Sequence, residues 1–270
     1  MLTLPDYPWD TLTPYRERAA AHPDGVADLS IGTPVDPTPE LIRRALTEAA
    51  DAHGYPTTHG TDALRRAVVD WYARRRGVSG LDPAAVVPTV GSKEFIAWLP
   101  TLLGLGAGDV VVHPEAAYPT YAVGALLAGA EAVAADDLDA LAPEVRERVR
   151  LVWTNSPANP TGAVISEDKA RRLARMQAGA PDFRIVWDNA YAVHTLTEEF
   201  PEILPILDIA AEEGNPNRFW AMSSTSKITF AGAGVGFFGT SEDNLEWYLE
   251  HAGIRGIGPN KINQLAHHEF

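Results

Sequence analysis

Between residues 84 and 224, short apolar runs alternate with amphipathic stretches, and no other feature of the chain restricts its fold as strongly. "AAVVPTV" (84–90) reads as a strand, followed after Gly91 by the helical "SKEFIAWLPTLLGLG". "DVVVHP" reads as a strand and "TYAVGALLAGA" as a helix. "RVRLVWTN" is the next strand, "SEDKARRLARMQAGA" a helix that Ser166 can cap, and "FRIVWDN" and "RFWAMSS" two further strands. This rhythm predicts an α/β protein with a mainly parallel sheet. Residues 1–40 differ: prolines at 5, 8, 14, 23, 34, 37 and 39 mark an extended arm rather than a sheet core. "ALTEAADAHG" and "TDALRRAVVDWYARRRG" read as surface helices, and no internal repeat is evident.

Composition narrows the functional class. With 270 residues, 46% hydrophobic and 21% charged, the chain can bury a substantial core. A net charge of −14 argues against a nucleic-acid surface, which needs a basic face. The absence of cysteine excludes a disulfide framework and a thiolate metal site. The opening "MLTLPDYPWD" lacks a signal-peptide pattern and no apolar stretch is long enough to span a bilayer, so no membrane partner and a cytoplasmic location are expected. His267 and His268 in "HHEF" are adjacent and point apart on any regular element, so no metal site is expected there.

In parallel sheets ligands collect beyond the carboxyl ends of the strands. The residues there are chemically unusual. Gly91, Ser92 and Lys93 open a helix whose free N–H groups suit a phosphate. "PEAAYPTY" offers Tyr118 and Tyr121, and "NSPANPTG" offers Asn159. "RIVW" delivers Asp188 and, three residues on, Tyr191; the last strand delivers Ser223, Ser224, Ser226 and Lys227. A phosphate cradle, aromatic plates, an amide, a carboxylate, a phenol and a lysine thus converge on one edge.

The ordered set "GSKE", "AYPTY", "NSPANPTG", "DNAY" and "SSTSK" resembles the pyridoxal-phosphate-dependent aminotransferases of fold type I, classes I and II. The resemblance implies the large domain of that fold over residues 41–270, with helices on both faces of the sheet, preceded by an N-terminal arm and partial small-domain segment over 1–40. It implies pyridoxal 5'-phosphate as cofactor, amino acids and 2-oxo acids as substrates, and a homodimer. Lys227 would form the internal aldimine and later move the substrate proton. Asp188 would pair with the pyridine nitrogen, Tyr191 and Asn159 would bond the phenolic oxygen, and Tyr118 would stack on the ring. Gly91, Ser92, Lys93, Ser224 and Ser226 would hold the phosphate, with Tyr55 of "HGYPTTHGTDALR" reaching the neighbouring subunit's cofactor. Gly32 of "DLSIGTPVDP" matches an arm glycine near the substrate carboxylate, and Lys261 and Arg255 are candidate contacts for a distal carboxylate.

Two departures from the family pattern bear on function. Many relatives carry an arginine eight residues after the lysine, where this chain has Val235. The family also continues through a C-terminal small domain that supplies the arginine gripping the α-carboxylate, and this sequence ends at Phe270. That segment is expected to be largely missing and turnover to be slow. "YPWDTLTPYRERAAAHPDG", "VGSKEFIAWLPTLLGLG" and "AYPTYAVGALLA" resemble actinobacterial N-succinyldiaminopimelate aminotransferases of lysine biosynthesis. "WDNAYAVHTLTEEFP", "GNPNRFWAMSSTSKITFAGAGVGFF" and "HAGIRGIGPNKINQLAH" resemble a subgroup of aspartate aminotransferases, with the change near residues 180 to 185. The expected activity is amino transfer between N-succinyl-LL-2,6-diaminopimelate or aspartate and 2-oxoglutarate or glutamate. The alternatives are a truncated or composite cofactor-binding protein with little turnover, or a non-catalytic effector-binding domain. Regulators of the last kind carry a basic helix-turn-helix segment ahead of this fold, whereas this chain begins in the arm and is acidic.

Overall fold

A computed structural model describes residues 4–6, 9–176, 183–194, 196, 198, 203–229, 234–256 and 258–270. The strands are β1 (Val86–Thr89), β2 (Val110–His113), β3 (Glu131–Ala134), β4 (Val149–Asn155), β5 (Arg184–Asp188), β6 (Phe219–Ser224) and β7 (Gly236–Gly239). The helices are α1 (Thr13–Ala20), α2 (Glu40–Ala49), α3 (Asp62–Arg76), α4 (Ser92–Leu102), α5 (Thr120–Ala128), α6 (Pro143–Arg146), α7 (Glu167–Arg175), α8 (Ile206–Glu212), α9 (Glu242–Arg255) and α10 (Lys261–His267).

The strands form one sheet in the order β1-β7-β6-β5-β4-β2-β3. Pairings from β3 through β2, β4 and β5 to β6 are all parallel, as the sequence rhythm predicts. β7 runs antiparallel to both β1 and β6. Side chains alternate between two apolar layers, as the strand period requires. Ile185, Trp187, Phe219 and Ala221 pack with Leu64, Val68 and Tyr72 of α3, Leu173 of α7 and Ile209 of α8. Val186, Trp220 and Met222 face the other way, onto Phe95 and Leu99 of α4, Tyr121 and Ala125 of α5, and Tyr248 of α9. Helices therefore cover both faces.

Three elements differ from the sequence expectation. Thr13–Ala20 is helical although the arm is proline-rich, because Pro14 falls in the first turn, where its missing N–H costs nothing. β3 follows α5 directly and lies at the sheet edge, with Glu131 and Ala134 exposed, so its apolar signal is weak. The glycine-rich stretch after Lys227 ends in β7, a fully buried strand. The helices read as lying on the surface each bury one face: Ile42, Ala45 and Ala49 of α2, and Leu64, Val68 and Tyr72 of α3. The expected change of resemblance near 180–185 begins at residues 180–182, outside the described ones, and runs into β5.

Candidate active site

A cavity of about 620 Å3 opens at the carboxyl edge of the sheet. Gly91, Ser92, Lys93, Tyr118, Asn159, Asp188, Tyr191, Ser226 and Lys227 all border it. A second hollow, of about 730 Å3 between β4 and α7, contains none of the side chains that the sequence analysis assigned to cofactor or substrate.

The cavity floor is built around Asp188. It ends β5 and is only 4% exposed. The Tyr121 hydroxyl donates to its Oδ2 at 2.7 Å, and the Ala190 N–H donates to Oδ1 at 2.9 Å. Burial pushes the Asp188 carboxyl above the usual carboxylate range, while these two donors pull the other way. Asn155, the last residue of β4, joins three pieces of the floor. Its Nδ2 donates to the Asp188 carbonyl at 3.0 Å, and its Oδ1 accepts the Asn159 N–H at 2.6 Å. Asn159 Nδ2 in turn donates to the Tyr191 hydroxyl at 3.3 Å. Burial raises the Tyr191 phenol, and the nearby Asp188 charge raises it further.

Lys227 closes the turn Thr225–Lys227 directly after β6. Its Nζ donates to the Gly32 carbonyl at 2.6 Å and stands 5.9 Å from the centroid of the Tyr191 ring. The arm glycine is thus brought to the lysine. His194 Nε2 lies 2.9 Å from the Lys227 carbonyl and ties the two loops together. Ser226 borders the cavity, whereas Ser224 is buried beneath it, its Oγ accepting the Ser226 N–H at 3.4 Å. Val235 is 1% exposed and hydrogen-bonds Thr225 through its backbone, so it packs into the apolar core and presents no charge to the cavity.

On the border of the same cavity α4 begins at Ser92, with Gly91 as its N-cap and no side chain capping its first turn. An uncapped N-terminus suits an anion, because N–H groups and the helix dipole point the same way. A Cβ on Gly236 would overlap Thr89 Oγ1 and come within 2.9 Å of the Gly91 Cα, so glycine there lets β7 press against this turn.

The remaining sequence-predicted residues lie outside the cavity lining. Tyr55 is 85% exposed. Lys261 Nζ donates to the His53 carbonyl and, at 3.5 Å, to that of Gly54, the two residues ahead of Tyr55. Arg255 pairs with Glu94 at 2.5 Å, its guanidinium 5.7 Å from the Trp98 ring centroid. Sequence reasoning assigned no role to Asn155, His194 or Tyr121. For Asn155 a usable signal existed: an amide closing a buried apolar run four residues before Asn159.

Strand order, lysine turn and buried carboxylate together define the large-domain architecture of the fold type I transferases. An aminotransferase structure from Neisseria meningitidis aligns with 99% of this chain and 71% of its own, at TM-score 0.87 and 27% identity. The chain belongs to the aspartate amino-transferase family, whose sequence model matches residues 130–270. It is 59% identical over 136 residues to the aspartate aminotransferase of Corynebacterium glutamicum, covering 50% of this chain and 32% of that one. It is also 34% identical over 274 aligned positions to an LL-diaminopimelate aminotransferase of Gloeobacter violaceus, covering 96% of this chain and 66% of that one. The chain spans less than half the length of the curated relatives it matches at 52% to 61% identity.

Proposed function

We propose that this chain carries the cofactor-binding centre of a pyridoxal-phosphate-dependent aminotransferase, acting on a dicarboxylic amino acid with 2-oxoglutarate or glutamate as partner. One observation carries the reading: a primary amine and a buried carboxylate, from the ends of neighbouring strands β6 and β5, border one cavity with an uncapped helix N-terminus. That donor set fits pyridoxal 5'-phosphate. When bound, the cofactor supplies an aldehyde for an amine and a pyridine ring that accepts the electrons released at a substrate carbon.

The chain's own residues divide the remaining work. Asp188 presents a desolvated carboxylate to a ring N–H and strengthens that contact because water is excluded. Tyr191 and Asn159 are already paired and present a phenol and an amide to a ring oxygen. Ser92 and Lys93 offer main-chain N–H groups, and Ser226 a hydroxyl, to a phosphate. Lys227 Nζ is the base that takes a proton from a substrate carbon and returns it elsewhere, as a general acid–base must. N-succinyl-LL-2,6-diaminopimelate and aspartate are the favoured amino donors, and both require a cation for the distal carboxylate. Lys261 and Arg255 hold that role only if a neighbouring subunit lends them, since neither borders this cavity.

The test is a titration of the purified chain with pyridoxal phosphate. An absorbance band distinct from that of free pyridoxal phosphate, fixed covalently to the chain by borohydride, is expected from the wild type and not from Lys227→Ala, with the far-ultraviolet circular dichroism of the two alike. A band of equal strength in Lys227→Ala would overturn the assignment.

A further inference from the structure

We propose that Tyr121 is a positioning residue whose hydroxyl fixes the Asp188 carboxylate for contact with a pyridine-type ring nitrogen. The inference rests on the cofactor reading above and concerns how the chain prepares that contact. Among the described residues each Asp188 oxygen has a single donor: the Ala190 N–H on Oδ1 and the Tyr121 hydroxyl on Oδ2. Two donors on two different oxygens fix the plane of the carboxylate, and Asp188 itself borders the cavity. With Tyr121 removed, only a loop amide would hold a group that is otherwise desolvated.

The tyrosine is itself held in place. Its ring stacks on Trp153 with centroids 5.1 Å apart and planes 17° apart, and Tyr118 meets it edge-on at 6.0 Å and 87°. It is 1% exposed and lies in the first turn of α5, so helix and sheet both fix its direction. Its phenol is pushed well above the ordinary tyrosine value, first by burial and then by the Asp188 charge, so the hydroxyl keeps its proton and acts as donor. Tyr121 therefore places the carboxylate at a set angle to Tyr118, the neighbouring aromatic that also lines the cavity. Hydrogen bonds to charged groups are the stronger ones, so the effect on ligand retention is measurable.

The experiment compares two ligands, pyridoxal phosphate and its analogue with the ring nitrogen replaced by C–H, by equilibrium dialysis. Tyr121→Phe keeps the ring stack and deletes only the hydroxyl. It is expected to weaken retention of pyridoxal phosphate about tenfold or more and to leave retention of the analogue unchanged. In an Asp188→Ala background the same substitution should cost nothing further, since the acceptor is gone. Equal losses for both ligands, or additive losses in the double variant, would show a merely structural tyrosine and overturn the proposal. Unchanged retention of pyridoxal phosphate in Tyr121→Phe would also overturn it. A wild-type chain that retains neither ligand refutes the cofactor reading itself, and this inference with it.

Discussion

Asp188 is a carboxylate the fold pays to bury, and its burial has a measurable consequence in the ligand-free chain. Its pKa in the folded state is shifted upward from the ordinary value of 3.8, chiefly by desolvation. The folded chain therefore binds this proton more tightly than the unfolded chain does. Stability contributed at this position is greatest below the unfolded value and falls as pH rises through the raised folded one. Asp188→Asn removes that slope. Calorimetric unfolding without cofactor between about pH 4 and pH 8 should show the wild type losing stability relative to the asparagine variant as pH increases. Parallel curves would mean that Tyr121 and Ala190 fully offset the burial. Asp188 and Lys227 were legible as residues because each interrupts or ends an apolar run with a charge that needs a purpose. His194 was not, because its work is to bond a backbone carbonyl that becomes a neighbour only once the chain after β5 meets the turn after β6.

Helices α4 and α5 form the wall that carries the uncapped turn at Gly91 together with Tyr118 and Tyr121. Their approach is close: a Cβ on Gly124 of α5 would lie 2.7 Å from the Ile96 carbonyl of α4. Gly124→Ala therefore has to push two backbones apart, which typically costs about 1–3 kcal/mol. Denaturant unfolding should show that loss, accompanied by weaker cofactor retention because the N-terminus of α4 shifts with its helix. A variant as stable as the parent would mean that the two helices slide apart freely. Strand and helix periods made most of these elements readable in the sequence. β7 was hidden because "GFFG" opens and closes with glycine, usually a sign of a turn. In the folded chain Gly236 is there for the space between β7 and the turn at Gly91. The arm helix Thr13–Ala20 was hidden for the opposite reason, since Pro14 usually forbids a helix and here begins one.

Leu29, Val35, Tyr55 and Ile254 are 93%, 88%, 85% and 91% exposed. Large apolar side chains on this scale favour a partner surface, and a two-fold homodimer is the arrangement we propose. Sedimentation at micromolar concentration should then give twice the 29.2 kDa chain mass. A species of single-chain mass would refute the dimer for this chain. The candidate site was legible from the order of its motifs, whereas the homodimer is expected from the family resemblance alone, because no periodicity in a sequence says which exposed faces meet.

Among the described residues β1 joins the sheet only through β7, with Val86 facing Gly239 and Thr89 facing Gly236. A ribosome releases the chain from its amino end, so β1 emerges about 150 residues before the strand it pairs with, roughly 8–30 s at ordinary elongation rates. Throughout that interval its backbone donors and acceptors have no sheet to enter, and "VVPT" is an unpaired apolar edge. Pro88 within it removes one N–H from the exposed ladder and makes the waiting strand a poorer template for a stray chain.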